Sequence, residues 1–492
     1  MTVTPKSSTE LAAAFEQEAK RLLGEYKIPG VTLGMLTPDG DYFVHLGVTS
    51  LENPLPIDAD TIFQIGSTTK TITSLTCSVL VAQGKLDLDV PVRTYLPDFK
   101  LKDESVAAAL TVRDVLTHQG GFQGDLFEET GNGDDALSKV LDILAESPQV
   151  VALRSHWSYN NAGFYVAGRV IEVLTGKPYE AAVTELIFEP LGMDHTLFFP
   201  SQVMTYRFAA GHNKIDDELV IQRPWILPRS SAPAGGTLNS TMRDMTRYAY
   251  YIMSGTTIPA RPDQEAGAQG EDTATPAEAS PLETLDRPLL WKPQRPIGDA
   301  LNGFPGERGQ IGQSWFIDQY PQATIISHGG TTHGHQSDFW VSPDRKVGFI
   351  AMTNASNGHA YNRKLSKWIK RELLGLSAAE LPEHFVSPDT LSDFEGKYLI
   401  IGTAMNIGSH LEGGRLTLTI PDTTPGASGT KPAPLRFIAP NRALVTSGGD
   451  LDDTGVEFLR GADDKVEFMR MGVRLYPLEG REVAQTMPLT EI

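Results

Sequence analysis

The sequence predicts a mixed α/β (α+β) chain. A large helix-and-sheet region, about residues 1–378, leads through a linker at 379–390 into a small antiparallel β-barrel over 391–492. Three observations carry this. At roughly 100 to 200 residues per domain, 492 residues allow about two to four domains. Helical and strand-like periodicities alternate through the first three quarters of the chain. Beyond residue 390 helical periodicity all but disappears, and eight short alternating runs follow at close spacing.

Taken in order, Ser7 followed three residues later by Glu10 forms a capping-box pattern for a first helix with Leu11, Phe15, Leu22 and Leu23 on its apolar side. IPGVTLGMLTPDGDYFVHLGVTS then reads as two strands around a Pro-Asp-Gly turn. From Ser67 to Gly84 the chain is apolar nearly all round at helical spacing, which predicts a buried helix with Gly84 at its C-terminal end. Further helices are expected around 112–118, 136–145, 161–175 and 179–187. Residues 256–286, rich in Pro, Ala, Thr, Glu and Gly, read as an exposed excursion. WFIDQ, TIISHGG, FWVSP and VGFIAMTN supply four strands before a helix over 362–374. The barrel's expected strands are GKYLIIG, AMNIG, RLTLTI, LRFIA, RALVTS, VEFLR, KVEFMR and VRLYPL.

Composition excludes several functions. With 61 acidic against 42 basic side chains the formal net charge is −19, and a nucleic-acid partner would need a basic face instead. No run stays apolar for the ~18 residues of a membrane span, so no membrane partner is expected. The single cysteine, Cys77, cannot form an internal disulfide and reads as core filling. The polar, charged N-terminus lacks a signal-peptide core, which predicts a soluble cytoplasmic protein; an exported protein whose leader is missing from this sequence is the alternative.

The chemistry starts in FQIGSTTK, where Ser67 and Lys70 stand three apart at the head of the buried helix. That spacing puts both side chains on one face, so a desolvated lysine can take the proton of a serine that is otherwise a poor nucleophile. The helix start also offers the Ser67 N–H to a developing oxyanion. Ser428 and Lys431 share the spacing within PGASGTKP, where Gly and Pro forbid the helix. Tyr159 and Asn161, in SYNNAGF before another helix, supply a hydroxyl that can share a proton with the lysine and an amide that can hold a substrate. His328, Gly329 and Gly330 end the apolar run TIIS. Glycines there let a substrate backbone approach, with the Thr331 N–H as a second oxyanion donor. His118-Gln119-Gly120 repeats the H-x-G triplet elsewhere and shows how common it is.

In this order, S-x-x-K, Y-x-N and H-x-G resemble the penicillin-recognising serine hydrolases, which include class C β-lactamases, DD-peptidases, D-aminopeptidases and esterases. TVRDVLTHQGGF, EPLGMDHTLF, APAGGTLNSTMRDMTRYA and HGGTTHGHQSDFWVSPDRKVGFIAMTN look like the family as well, so the resemblance spans roughly residues 10–376. It implies a β-lactamase-like antiparallel sheet flanked by helices, with an all-helical subdomain. Ser67, Lys70 and Tyr159 would be catalytic, and Asn161, His328, Gly329, Gly330 and Thr331 substrate-binding. The terminal strands resemble, more loosely, the lipocalin-like domain of some members, which would shield the mouth of the site or stand as an independent module. Where β-lactamases carry a lysine this chain has His328, mostly neutral near pH 7 and offering one hydrogen-bond donor. The resemblance therefore implies a peptidase, amidase or esterase acting on a small molecule or short peptide, rather than an efficient β-lactamase. A protonated His328, held by an acidic neighbour such as Asp338, would restore the β-lactamase reading.

Rival chemistries find less support. His328, His333 and His335 sit within eight residues, but no Cys and no H-E-x-x-H accompanies them, so no metal is expected. No G-x-S-x-G, P-loop or dinucleotide fingerprint appears, and no cofactor is expected. A slow-turnover sensor and an acyltransferase would use the same acylating residues, and the sequence leaves both open, together with the oligomeric state.

Overall fold

The computed structural model describes residues 7–215, 218–256, 281–297, 309–376, 381–401, 405–421, 430–447 and 451–480. The first helix, Ser8–Tyr26, opens with the expected reciprocal cap: Ser7 receives the Glu10 N–H while the Glu10 side chain receives that of Ser7. The two strands after it, Gly30–Thr37 and Gly40–Gly47, pair antiparallel and turn at Pro38 and Asp39.

These strands form one edge of the large antiparallel sheet. Next to Gly30–Thr37 lie Val347–Thr353, Gln336–Ser342, Thr324–Ser327 and Phe316–Gln319, then Gln310–Ile311 and Arg295–Pro296, while Gly330–Thr331 pairs the outer end of Gln336–Ser342. Each face buries its own core. Phe15, Leu22, Val31, Trp340, Tyr361 and Ile369 pack between one face and the helices Ser8–Tyr26 and Gly358–Leu374. Ile326, Phe339, Ile350 and Met352 point the other way, into the core shared with the buried helix Thr69–Ala82 and the helical region.

Every residue from Thr69 to Leu80 is buried, as the all-round apolar pattern implies. The helix differs at its head: Gly66–Thr68 is a 3-10 turn, and regular α-helix starts at Thr69. Val112–Leu116, Ala136–Leu144 and Ala162–Thr175 occur where helices are expected, whereas Tyr179–Val183 passes into a π-helical turn, Thr184–Phe188. The last helix of this part starts at Gly358, four residues earlier than its periodicity suggests. Most of the 256–286 excursion, residues 257–280, lies outside the described residues, as does Ser428; Lys431 is in a strand.

Eight strands follow, from Gly396–Leu399 to Arg474–Pro477, each paired with its sequence neighbour. A bridge between Tyr398 and Leu478 joins the first strand to the residue after the last and nearly closes the barrel, so few strand edges stay unpaired. Its core stacks Phe394 on Phe458 with ring centroids 4.2 Å apart, flanked by Phe437. The closing hairpin pairs Val466–Met471 with Arg474–Pro477 through a two-residue turn, Gly472-Val473, in which Gly472 has φ +56°.

Candidate active site

The 3-10 turn carrying Ser67 is pinned to the sheet. The Thr68 and Ser337 hydroxyls lie 2.8 Å apart and reach the His328 and Ile65 carbonyls. Glycine is obligatory on both sides of this contact. Gly66, at φ +52°, would put a Cβ 2.7 Å from Thr331 N, and a Cβ on Gly330 would lie 2.0 Å from the Ile65 carbonyl and 2.8 Å from Ser67 N. The closing Gly of H-x-G therefore lets the strand backbone press against the turn that carries Ser67.

Lys70 has no exposed surface. Its Nζ lies 3.0 Å from Ser67 Oγ, 2.6 Å from Asn161 Oδ1 and 2.7 Å from the Ala234 carbonyl. Burial, reinforced by the nearby Arg474 cation and opposed by Asp125, holds the amine well below the ordinary lysine range. In the neutral amine two hydrogens and one lone pair remain. Asn161 Oδ1 and the Ala234 carbonyl only accept and so take the hydrogens, which turns the lone pair toward the Ser67 hydroxyl.

Tyr159 stands above this pair, its ring centroid 4.9 Å from Lys70 Nζ. Burial drives the phenol above its usual range, so it keeps its proton; a hydrogen bond with Ser67 opposes the shift. Behind it His118 stacks at 4.3 Å, its Nδ1 3.0 Å from the Asn160 nitrogen and 3.2 Å from the Asn160 carbonyl oxygen. His118 thus backs the tyrosine instead of lying on a substrate strand.

His328 is 2% exposed. Its Nδ1 lies 2.6 Å from the Gly329 carbonyl and donates to it, so Nε2 carries the lone pair and faces the Tyr159 hydroxyl at 3.4 Å. Burial, with Lys70 adding repulsion, pushes the imidazole down to about 3. It is neutral, as its sequence context implies, but the single donor expected for substrate is already engaged. Asp338 is no acidic partner for it. That carboxyl turns toward Ser366 and Lys370, and burial raises it to about 6. The other two histidines point elsewhere, His335 against Phe63 and His333 toward the Pro224 carbonyl. Among the described residues no group of His, Cys, Asp and Glu is arranged to hold a metal ion.

A cavity of about 620 Å³ opens over these groups, lined by Ser67, Tyr159, Asn161 and His328 and also by Val473 and Arg474 of the barrel. Arg474 is 33% exposed on its side chain. Its Nε and Nη2 bond Asp125 at 2.5 and 2.9 Å, and its guanidinium carbon lies 5.3 Å from the Tyr159 ring centroid. Asp125 also accepts from Asn161 Nδ2 at 2.7 Å, so Asn161 is bonded at both ends of its amide. Neither Arg474 nor Asp125 belongs to a recognisable motif; Asp125 sits in a loop tied to the start of the Asn161 helix, and the barrel brings Arg474 to it. The barrel thus forms part of the cavity wall.

Comparison with known proteins bears on the family and the fold. The family model "Beta-lactamase" matches residues 14–373. "Penicillin-binding protein 4" of Amycolatopsis lactamdurans is 27% identical over 380 residues, covering 76% of this chain and 93% of that protein. "Unguisins hydrolase ungD" of Aspergillus violaceofuscus is 24% identical, covering 71% of this chain and 62% of that protein. In fold, a crystal structure of SurE superposes with a TM-score of 0.70 at 21% identity, over 96% of this chain and all of that one. No helix among the described residues is long and apolar enough to cross a membrane. With a family match over most of the chain and the S-x-x-K serine within hydrogen-bond distance of its buried lysine, the chain belongs to the beta-lactamase family of serine hydrolases, whose members include penicillin-binding proteins, esterases, β-lactamases and amidases.

Proposed function

We propose that the protein is a serine hydrolase working through an acyl-enzyme on amide or ester bonds, of D-aminopeptidase or carboxylesterase type. The observation that carries this is the Lys70 amine, fully buried and with its two accept-only partners leaving the lone pair for Ser67. In this reading Lys70 takes the Ser67 proton as Oγ attacks the carbonyl carbon. The Ser67 and Thr331 N–H groups receive the oxyanion. Tyr159, which retains its proton, donates to the leaving amine or alcohol, and Lys70 returns the proton it took through the Tyr159 hydroxyl. Water then attacks the ester and the same groups run in reverse.

The barrel roofs the cavity and limits substrates to short peptides or small esters. His328 provides no cation for a substrate carboxylate, which favours neutral esters and amides. A second reading, turnover of carboxylate-bearing substrates such as β-lactams or DD-peptides, is favoured by Arg474, which places a guanidinium at the cavity wall. Intact-mass analysis after mixing with p-nitrophenyl esters, D-amino acid amides and a chromogenic β-lactam tests both. A Ser67-dependent adduct with esters or D-amino acid amides is expected, and Ser67→Ala, folded, should show none. Adduct formation in Ser67→Ala would overturn the mechanism, and a β-lactam outpacing the others would select the second reading.

A further inference from the structure

Asn161 connects the nucleophile pair to the barrel, and its two ends are chemically opposite. The oxygen only accepts and the nitrogen only donates. Oδ1 faces Lys70 Nζ at 2.6 Å, and Nδ2 faces Asp125 Oδ1 at 2.7 Å. A carboxylate can only accept, so Asp125 forces the amide nitrogen toward itself and the oxygen toward the lysine. A rotated amide would set its N–H against the lysine, and the amine would lose one of the two acceptors that direct its lone pair. Asp125 in turn is held by the two parallel bonds of Arg474. The barrel fixes Arg474 on both sides, since Tyr159 N–H bonds the Val473 carbonyl at 2.9 Å and Leu475 N–H bonds Ser158 Oγ at 3.2 Å.

We propose that Arg474 and Asp125 are positioning residues that fix the Asn161 carboxamide and through it aim the Lys70 amine at Ser67, making the barrel part of the catalytic apparatus. This rests on the serine-hydrolase reading and deepens it. The charges predict a specific signature. The ionisable groups around Lys70 are Tyr159, His118 and His328, all neutral, together with Asp125 and Arg474. The Arg474 cation disfavours the lysine's ammonium form, and the Asp125 anion favours it. Removing one or the other moves the lysine's titration in opposite directions.

The test uses the full chain, with p-nitrophenyl acetate as acyl donor. Acylation rates are followed from pH 5 to 10 in Arg474→Met, Asp125→Asn and the double variant, which removes both charges and so leaves neither unpaired. In Arg474→Met the acid limb should rise by about one pH unit, and in Asp125→Asn it should fall by a similar amount. In the double variant it should return toward the parent's while kcat stays at least about tenfold down and KM changes little. A purely structural pair would lower the active fraction without moving the limb. Unmoved limbs, or a double variant with the parent's kcat, would overturn the proposal while Ser67 still acylates. Failure of the parent itself to acylate would overturn the underlying reading instead.

Discussion

Lys70→Met keeps the length of the side chain and removes its amine. A positioned general base contributes about 10²- to 10⁴-fold, so acylation should slow by that factor, equivalent to roughly 3 to 5 kcal/mol of barrier at 1.36 kcal/mol per decade. The same substitution changes stability in a pH-dependent way whose sign follows from burial. The folded protein holds Lys70 well below its ordinary range, whereas the unfolded chain titrates near 10.4. Between those two values the unfolded state binds the extra proton, so stability rises with pH there, by at most about 1.4 kcal/mol per pH unit. Methionine lacks this dependence. Relative to Lys70→Met, the parent should be weakest at low pH, gain stability as pH rises through the window, and level off above about 10.4. Urea titrations of both proteins from pH 6 to 10, beside burst kinetics with a p-nitrophenyl ester, measure the two effects. Acylation within tenfold of the parent, or stability curves that run parallel across this range, would refute the neutral-amine argument.

Tyr159→Phe should cost far more with a D-amino acid anilide than with a p-nitrophenyl ester, because nitrophenolate leaves without needing a proton; paired measurement of kcat/KM checks this. Combined with Lys70→Ala, its loss should be well short of additive, as for groups sharing one proton transfer. Gly330→Ala should lower the melting temperature and acylation together, since its Cβ would lie 2.0 Å from the Ile65 carbonyl, and overpacking of this kind costs about 1–3 kcal/mol. Cys77 is buried, with its thiol pushed up to about 12, so Ellman's reagent should label it only under denaturing conditions.

Local patterns made part of this molecule legible in the sequence. Ser67 and Lys70 meet across one helical turn, so their spacing at the head of an apolar helix predicts that the two side chains share a face, even though that turn begins as 3-10 and the contact is 3.0 Å. The eight barrel strands follow from two-residue alternation bounded by Gly, Pro and Asp. Other features depend on tertiary burial that no short window records. The His328 tautomer is set by the Gly329 carbonyl and Tyr159, and the orientation of Asp338 by which face of its strand meets Lys370. The Asp125–Arg474 pair joins a loop to the last barrel strand, an isolated charge on each side with no periodic partner. Sequence spacing finds groups that share an element, and it misses those that meet only when separate elements close on one another.

Arg474 lies on the last strand among the described residues and is made about 400 residues after Ser67. At about 5–20 residues per second the interval is on the order of tens of seconds. During that time the large sheet can form and bury Lys70, while Asp125 waits for its guanidinium and the Tyr159 N–H for the Val473 carbonyl. The nascent protein thus holds Ser67 and Lys70 before Asp125 and Tyr159 have their barrel partners. The order of synthesis thus puts the Ser67–Lys70 contact ahead of the contacts that the barrel hairpin adds.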